Sequence, residues 1–206
     1  MVTRIVAMAD THGYHQNLLV PDGDILVHAG DLTQTGTLDE LEQVNDFLAS
    51  LPHRHKVVIA GNHDWCFARQ PVKARRILDA AVYLEDEAVV LDGIRFWGSP
   101  WQPWFLDWAF NLRRGAALAE KWALIPANTD VLVTHGPPQG FGDTVSRGER
   151  VGCEDLLARL RQVQPKLHLF GHIHEDRGSW KLGATLVVNV TTAEGTLPAT
   201  VIAYPP

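Results

Sequence analysis

Short apolar runs alternate with amphipathic stretches along this chain. Residues 4–9 and 24–29 are nearly continuous apolar runs, the pattern of strands buried on both faces. Thr37-Leu38-Asp39-Glu40 forms a capping box, and the apolar spacing after it predicts an amphipathic helix to about Ser50. Residues 56–60 read as the next strand. Pro71 suits the first turn of a helix reaching about Ala81. Residues 88–91 and 94–97 flank Asp92-Gly93, which predicts a hairpin with a two-residue turn. A Trp/Pro-rich stretch, 98–111, shows no period. Beyond it the pattern predicts a helix over 115–124, a strand over 130–134, a helix over 153–163 closed by Pro165, and a strand over 167–170. The tail, 180–204, reads as two or three antiparallel strands with turns near Gly183 and Gly195. The expectation is a mixed α/β protein with parallel crossovers early and antiparallel hairpins late.

Composition narrows this picture. With 206 residues, 46% hydrophobic and 20% charged, the chain fits one domain spanning 1–206 around one good core. A formal charge of −6 supplies no basic footprint, so long nucleic acids are not expected as partners. A small phosphate-bearing ligand remains compatible, because bound cations reverse the local field. Cys66 and Cys153 are the two cysteines, too few for a disulfide scaffold. With no signal-peptide pattern and no apolar run long enough for a membrane span, a cytoplasmic location is expected.

Five short motifs carry the chemistry: Asp10-Thr11-His12, Gly30-Asp31, Gly61-Asn62-His63-Asp64, Thr134-His135-Gly136 and Gly171-His172-Ile173-His174. Each follows a strand-like run. In α/β sheets ligands bind beyond the carboxyl ends of strands, so dispersed motifs can converge there. Asp10, His12, Asp31, Asn62, His135, His172 and His174 are seven candidate metal ligands, too many for one four-coordinate ion. They suit two divalent cations sharing a carboxylate, which clamp an in-line displacement at phosphorus and activate a bridging water. His63 follows a candidate ligand and is the candidate general acid on the leaving oxygen. Asp64 is the candidate carboxylate to orient it.

This motif series resembles the calcineurin-like metallophosphoesterase superfamily. Val58-Ile59-Ala60-Gly61-Asn62-His63, Pro100-Trp101-Gln102-Pro103-Trp104-Phe105, Thr134-His135-Gly136-Pro137-Pro138 and Arg150-Val151-Gly152-Cys153 further resemble the small metallophosphoesterase-domain-containing proteins of animals and their bacterial relatives. The resemblance implies a four-layer α/β/β/α sandwich. It implies Asp10, His12, Asp31 and His174 around one metal, and Asp31, Asn62, His135 and His172 around the other. The metals it implies are manganese foremost, or iron, zinc or magnesium. His63 is implied as the residue contacting phosphate. One animal member of the narrower group has Gly for the first His of the last motif and weakened catalysis; here His172 is present. The expected activity is hydrolysis of small nucleotide phosphodiesters, cyclic ones included, by a metal-bridging hydroxide. The alternatives are a phosphomonoesterase or protein phosphatase, or a nucleotide-binding scaffold with weak catalysis.

Further candidates lie outside the motifs. Trp101 and Trp104 could stack a nucleobase, although tryptophans in such a stretch more often pin an irregular loop. Arg147 could pair with substrate phosphate. His28 and His168 sit in apolar runs and read as core residues, whereas His53 and His55 read as exposed loop residues.

Overall fold

The computed structural model describes residues 2–206. Its elements are β1 (Thr3–Met8), β2 (Ile25–Ala29), α1 (Leu38–Ser50), β3 (His55–Ile59), α2 (Trp65–Arg69), α3 (Pro71–Ile77), β4 (Val82–Tyr83), β5 (Glu87–Leu91) and β6 (Ile94–Ser99). They continue with β7 (Gln102–Pro103), β8 (Asn111–Leu112), α4 (Ala116–Ala123), β9 (Val131–Thr134), α5 (Glu154–Val163), β10 (Leu167–Phe170), β11 (Gly178–Leu182), β12 (Thr185–Asn189) and β13 (Thr200–Tyr204).

Two mixed sheets, in the orders β13-β1-β2-β3-β4 and β11-β12-β10-β9-β6-β5, pack face to face. Strand β1 illustrates how the sequence dictates the layering. Its alternate residues point to opposite faces, so Ile5 and Ala7 enter the inter-sheet core while Val6 and Met8 meet the helices outside. The outer face of the first sheet is covered by Leu41, Val44 and Leu48 of α1 and by Ala74 of α3. The second sheet is covered by Leu118 and Trp122 of α4 and by Leu156 and Leu160 of α5. The result is the four-layer α/β/β/α arrangement.

Local signals act where the sequence predicts. The Thr37–Glu40 capping box forms, with both reciprocal bonds present. Asp92 and Gly93 both take positive φ, 48° and 81°, as the tight turn between β5 and β6 requires. Three expectations need correction. Helix α3 stops at Ile77 because Asn45 of α1 intervenes: its side chain accepts from the Ala80 amide and donates to Asp79, giving the backbone an alternative to another turn. The tail is not one antiparallel unit. Strands β11 and β12 form a hairpin, but β12 runs parallel to β10, and β13 crosses to the other sheet to pair antiparallel with β1. The Trp/Pro-rich stretch also holds a small parallel ladder, β7 with β8.

Strands β1, β2 and β3 are mutually parallel, as are β6, β9, β10 and β12. Their carboxyl ends therefore share one edge of the sandwich. There the chain after β12 crosses between sheets: the Thr192 and Glu194 amides donate to the carbonyls of Ala9 and Asp10. No helix among the described residues is long and apolar enough to cross a membrane.

Candidate metal centre

Asp10 and His12 follow β1, Asp31 follows β2 and Asn62 follows β3; His135 follows β9, and His172 and His174 follow β10. The first four come from one sheet and the last three from the other, and the shared edge brings all seven together. Asp10, His12 and His174 form one group whose ligand-type atoms lie within 4.8 Å of one another; Asp31, His135 and His172 form a second, and His12, Asp31 and His63 a third. Asp31 joins them. Its Oδ2 lies 3.6 Å from His12 Nε2 and 3.3 Å from His135 Nε2, while its Oδ1 accepts from the His63 amide at 2.8 Å.

The backbone is strained to achieve this. Asp10, His12, Asp31 and His172 all have left-handed φ, between 45° and 70°. Such conformations cost a non-glycine residue about 1–3 kcal/mol and persist where the surroundings over-determine them, commonly at functional sites. Two glycines permit close approach. A Cβ at Gly61 would overlap the Asp31 carboxylate and lie 2.7 Å from His135 Cε1; one at Gly171 would lie 2.5 Å from Asp10 Oδ2. The Asp10 carboxylate in turn accepts from the His172 amide at 3.0 Å, tying the ends of β1 and β10.

Hydrogen bonding decides which atoms face inward. His135 Nδ1 donates to the Ala29 carbonyl at 3.0 Å, leaving Nε2 as the inward atom. That Nε2 lies 2.9 Å from Asn62 Oδ1 and 3.3 Å from Asp31 Oδ2, so in a neutral ring three acceptors would converge with nothing to donate. Only a proton or a cation can sit among them. His12 turns Nε2 to the same carboxylate, so a neutral His12 ring carries its proton on the buried Nδ1 and leaves the Nε2 lone pair facing Asp31. Mixed imidazole, carboxylate and amide donors are a set that suits first-row divalent ions, so these residues fit two cations sharing Asp31.

Protonation follows the same logic. Burial pushes His172 down to about 3 and lowers His12, so both imidazoles are neutral and offer lone pairs. Burial also opposes charge on His135, but the Asp31 carboxylate outweighs it and raises His135 to about 9. Without metal this pair holds a proton on Nε2. That proton stabilises the fold fully below the free-histidine value of about 6.5 and ceases to do so as pH rises through about 9. A cation must displace it. Metal binding at pH 7.5 is thus expected to release protons and to tighten toward pH 9, which calorimetry in buffers of different ionisation enthalpy measures.

The remaining predicted residues are placed as follows. His63 is half-buried at the edge of the centre, with Nδ1 donating to the Gln34 carbonyl at 2.8 Å. Asp64 does not orient it. The Asp64 carboxylate is fully buried and turns the other way, accepting from the amides of Leu32, Thr33 and Gly61 and from the Thr33 hydroxyl. It clamps the loop after β2 to the loop after β3, and burial together with the Asp31 charge pushes its carboxyl up. Trp101 does not line the cleft beside the centre: its indole donates to Asp86 and Lys121 covers its face, so it pins the loop. Trp104 does line it. This cleft, about 350 Å³, is walled by Trp104, Phe105, Pro137, Val145 and Arg147, with His172 at the metal end. Arg147 is exposed and paired with Glu149 at 2.8 Å, whereas Arg150 is tied to buried Asp143. His28 and His168 are buried as expected, but His53 is buried too, with Nε2 3.1 Å from the Pro21 carbonyl. Sequence reasoning did not single out Trp108, whose ring stacks on His63 with centroids 4.2 Å apart. It shares the unpatterned stretch with four other aromatic residues, and nothing in the sequence distinguishes it from them.

Residues 3–176 match the calcineurin-like phosphoesterase family. The chain belongs to this family. It is 44% identical over 214 residues to metallophosphoesterase domain-containing protein 1 of Homo sapiens; the match covers 92% of this chain and 66% of that protein, so the chain spans just under two thirds of its relative's length. A 3',5'-cyclic-nucleotide phosphodiesterase of Nostoc is 26% identical over 168 residues, covering 77% of this chain and 58% of the relative. The crystal structure of TT1561 from Thermus thermophilus superposes with a TM-score of 0.66 at 16% identity, over 98% of this chain and 99% of that one, a likeness of fold.

Proposed function

We propose that this chain is a two-metal phosphodiesterase acting on small phosphodiesters that carry an aromatic group, nucleotides among them. The observation that carries the reading is Asp31 Oδ2 facing both His12 and His135, with His172 linking this centre to an aromatic cleft. Asp10, His12, Asp31 and His174 would hold one cation, and Asp31, Asn62, His135 and His172 the other. Bound divalent ions would supply an activated water and neutralise the phosphoryl oxygens. The protein's own residues do the rest. With Nδ1 occupied by the Gln34 carbonyl, His63 keeps Nε2 to protonate the departing oxygen. Trp104 and Phe105 hold the flat organic group, and Arg147 stands at the rim for an outer phosphate oxygen. The Nostoc relative's name supports the diesterase choice. Free, buried Cys66 and Cys153 fit a reducing compartment, and we place the chain in the cytoplasm.

The test is hydrolysis of bis-p-nitrophenyl phosphate with added manganese, beside cyclic nucleotides, nucleoside monophosphates and a phosphopeptide. Diesters are expected to be cleaved fastest; faster turnover of monoesters would refute the diesterase assignment. In the same assay Trp104→Ala is expected to raise KM for a nucleoside diester about tenfold with little change in kcat, as lost stacking removes ground-state and transition-state binding alike. A Trp104→Ala variant with unchanged KM would remove the cleft from the account.

A further inference from the structure

The Trp/Pro-rich loop carries two aromatic residues with different surroundings. Trp104 is exposed along the cleft, whereas Trp108 is half-buried and lies over the imidazole of His63, 4.2 Å between centroids and 30° between planes. The loop is fixed at both ends. The Gln102 amide donates to Phe110 and the Trp104 amide to Leu112, and the Asn111 side chain closes it by donating to the carbonyls of Phe105 and Leu106. One further bond sets its register on the metal centre: the Ala109 amide donates to the Asn62 carbonyl at 3.2 Å. That bond lies next in sequence to both Trp108 and His63, so the indole and the imidazole are held opposite each other.

His63 needs such a support. Among the described residues its one side-chain hydrogen bond runs from Nδ1 to the Gln34 carbonyl, and one bond leaves the ring free to tilt about the N···O line. His12 meets it in a T-shaped contact, 4.4 Å between centroids, on the metal side. The indole supplies a flat surface that sets the ring plane without claiming a hydrogen bond from Nε2. We propose that Trp108 is a positioning residue for His63, holding its free Nε2 toward the leaving oxygen of the substrate. The inference rests on His63 acting as the general acid.

Leaving-group dependence separates this role from a structural one. Loss of a positioned acid slows departure of an alkoxide but not of p-nitrophenolate, which leaves unprotonated. In Trp108→Ala, kcat for a nucleoside diester with an alkoxide leaving group is expected to fall roughly 10–100-fold, while kcat for bis-p-nitrophenyl phosphate and the melting temperature change little. Trp108→Phe, which keeps an aromatic face, is expected to restore most of the loss. An independent readout is the His63 Hε1 proton resonance of the magnesium-supplemented protein, identified by its absence in His63→Gln. Ring current from the indole is expected to displace it upfield in the wild type and in Trp108→Phe less so, and Trp108→Ala to return it to the ordinary range. An equal fall with both leaving groups, or a resonance unmoved by Trp108→Ala, overturns the proposal. If His63→Gln shows the leaving-group split and Trp108→Ala does not, the positioning role alone fails. If His63→Gln shows no split, the acid assignment fails and the role of Trp108 with it.

Discussion

Replacing Asp31 by asparagine is expected to lower phosphodiester hydrolysis about a thousandfold, equivalent to about 4 kcal/mol of activation free energy. The substitution is nearly isosteric. The amide oxygen of the variant can still accept from the His63 backbone as Oδ1 does now, so the loop after β3 keeps its anchor. What changes is the atom facing His12 and His135: an anionic Oδ2 becomes an NH2 group, a donor that cannot ligate a cation. In the proposed arrangement both cations would share that oxygen, so the variant is expected to retain less metal as well as less activity. Steady-state kinetics with metal quantified on the same preparations checks both. A variant with wild-type turnover would falsify the shared-carboxylate arrangement.

Chelation has the second large effect. A cation bound only to the folded state adds about 4 kcal/mol at a free concentration of 1,000 times Kd. For a chain of this size that corresponds to a melting temperature lowered by roughly 8–16 °C when the metal is stripped. The arrangement of the site favours the upper part of that range. Four of its residues hold left-handed backbone, and its acceptor atoms face one another at 2.9–3.6 Å with one proton to share among them. Scanning calorimetry with and without chelator measures the change, and Asp31→Asn serves as the control expected to respond weakly. Equal midpoints with and without chelator would exclude metal as a structural component.

Much of this arrangement is legible in the sequence because it rests on short-range signals. Apolar runs mark the strands, and a polar motif at the end of each run marks where a side chain emerges at the sheet edge; parallel topology then does the gathering. The Thr37–Glu40 box and the Asp92-Gly93 turn are equally local, and both form. The misreadings share a cause. Asp64 sits next to His63 in sequence, yet its carboxylate is drawn to amides of the loop after β2, more than thirty residues away. Trp101 and Trp108 are the same residue type in the same stretch. Which of them reaches the centre depends on Asp86 capturing one indole and the Ala109–Asn62 bond steering the other. The helix expected to reach Ala81 is cut short by Asn45, a side chain from another helix. The left-handed backbone at Asp10, His12, Asp31 and His172 is hidden for a different reason: aspartate and histidine occupy ordinary conformations far more often, so their identity does not announce it.

The split of the inward-facing side chains between the two sheets has a mechanical outcome. Asp10, His12, Asp31 and Asn62 hang from one leaf of the sandwich, and His135, His172 and His174 from the other. An ion gripped by both would work as a clasp along that margin, so amide exchange near the ends of β2 and β9 should slow in unison on metal addition, although neither strand belongs to the other's sheet.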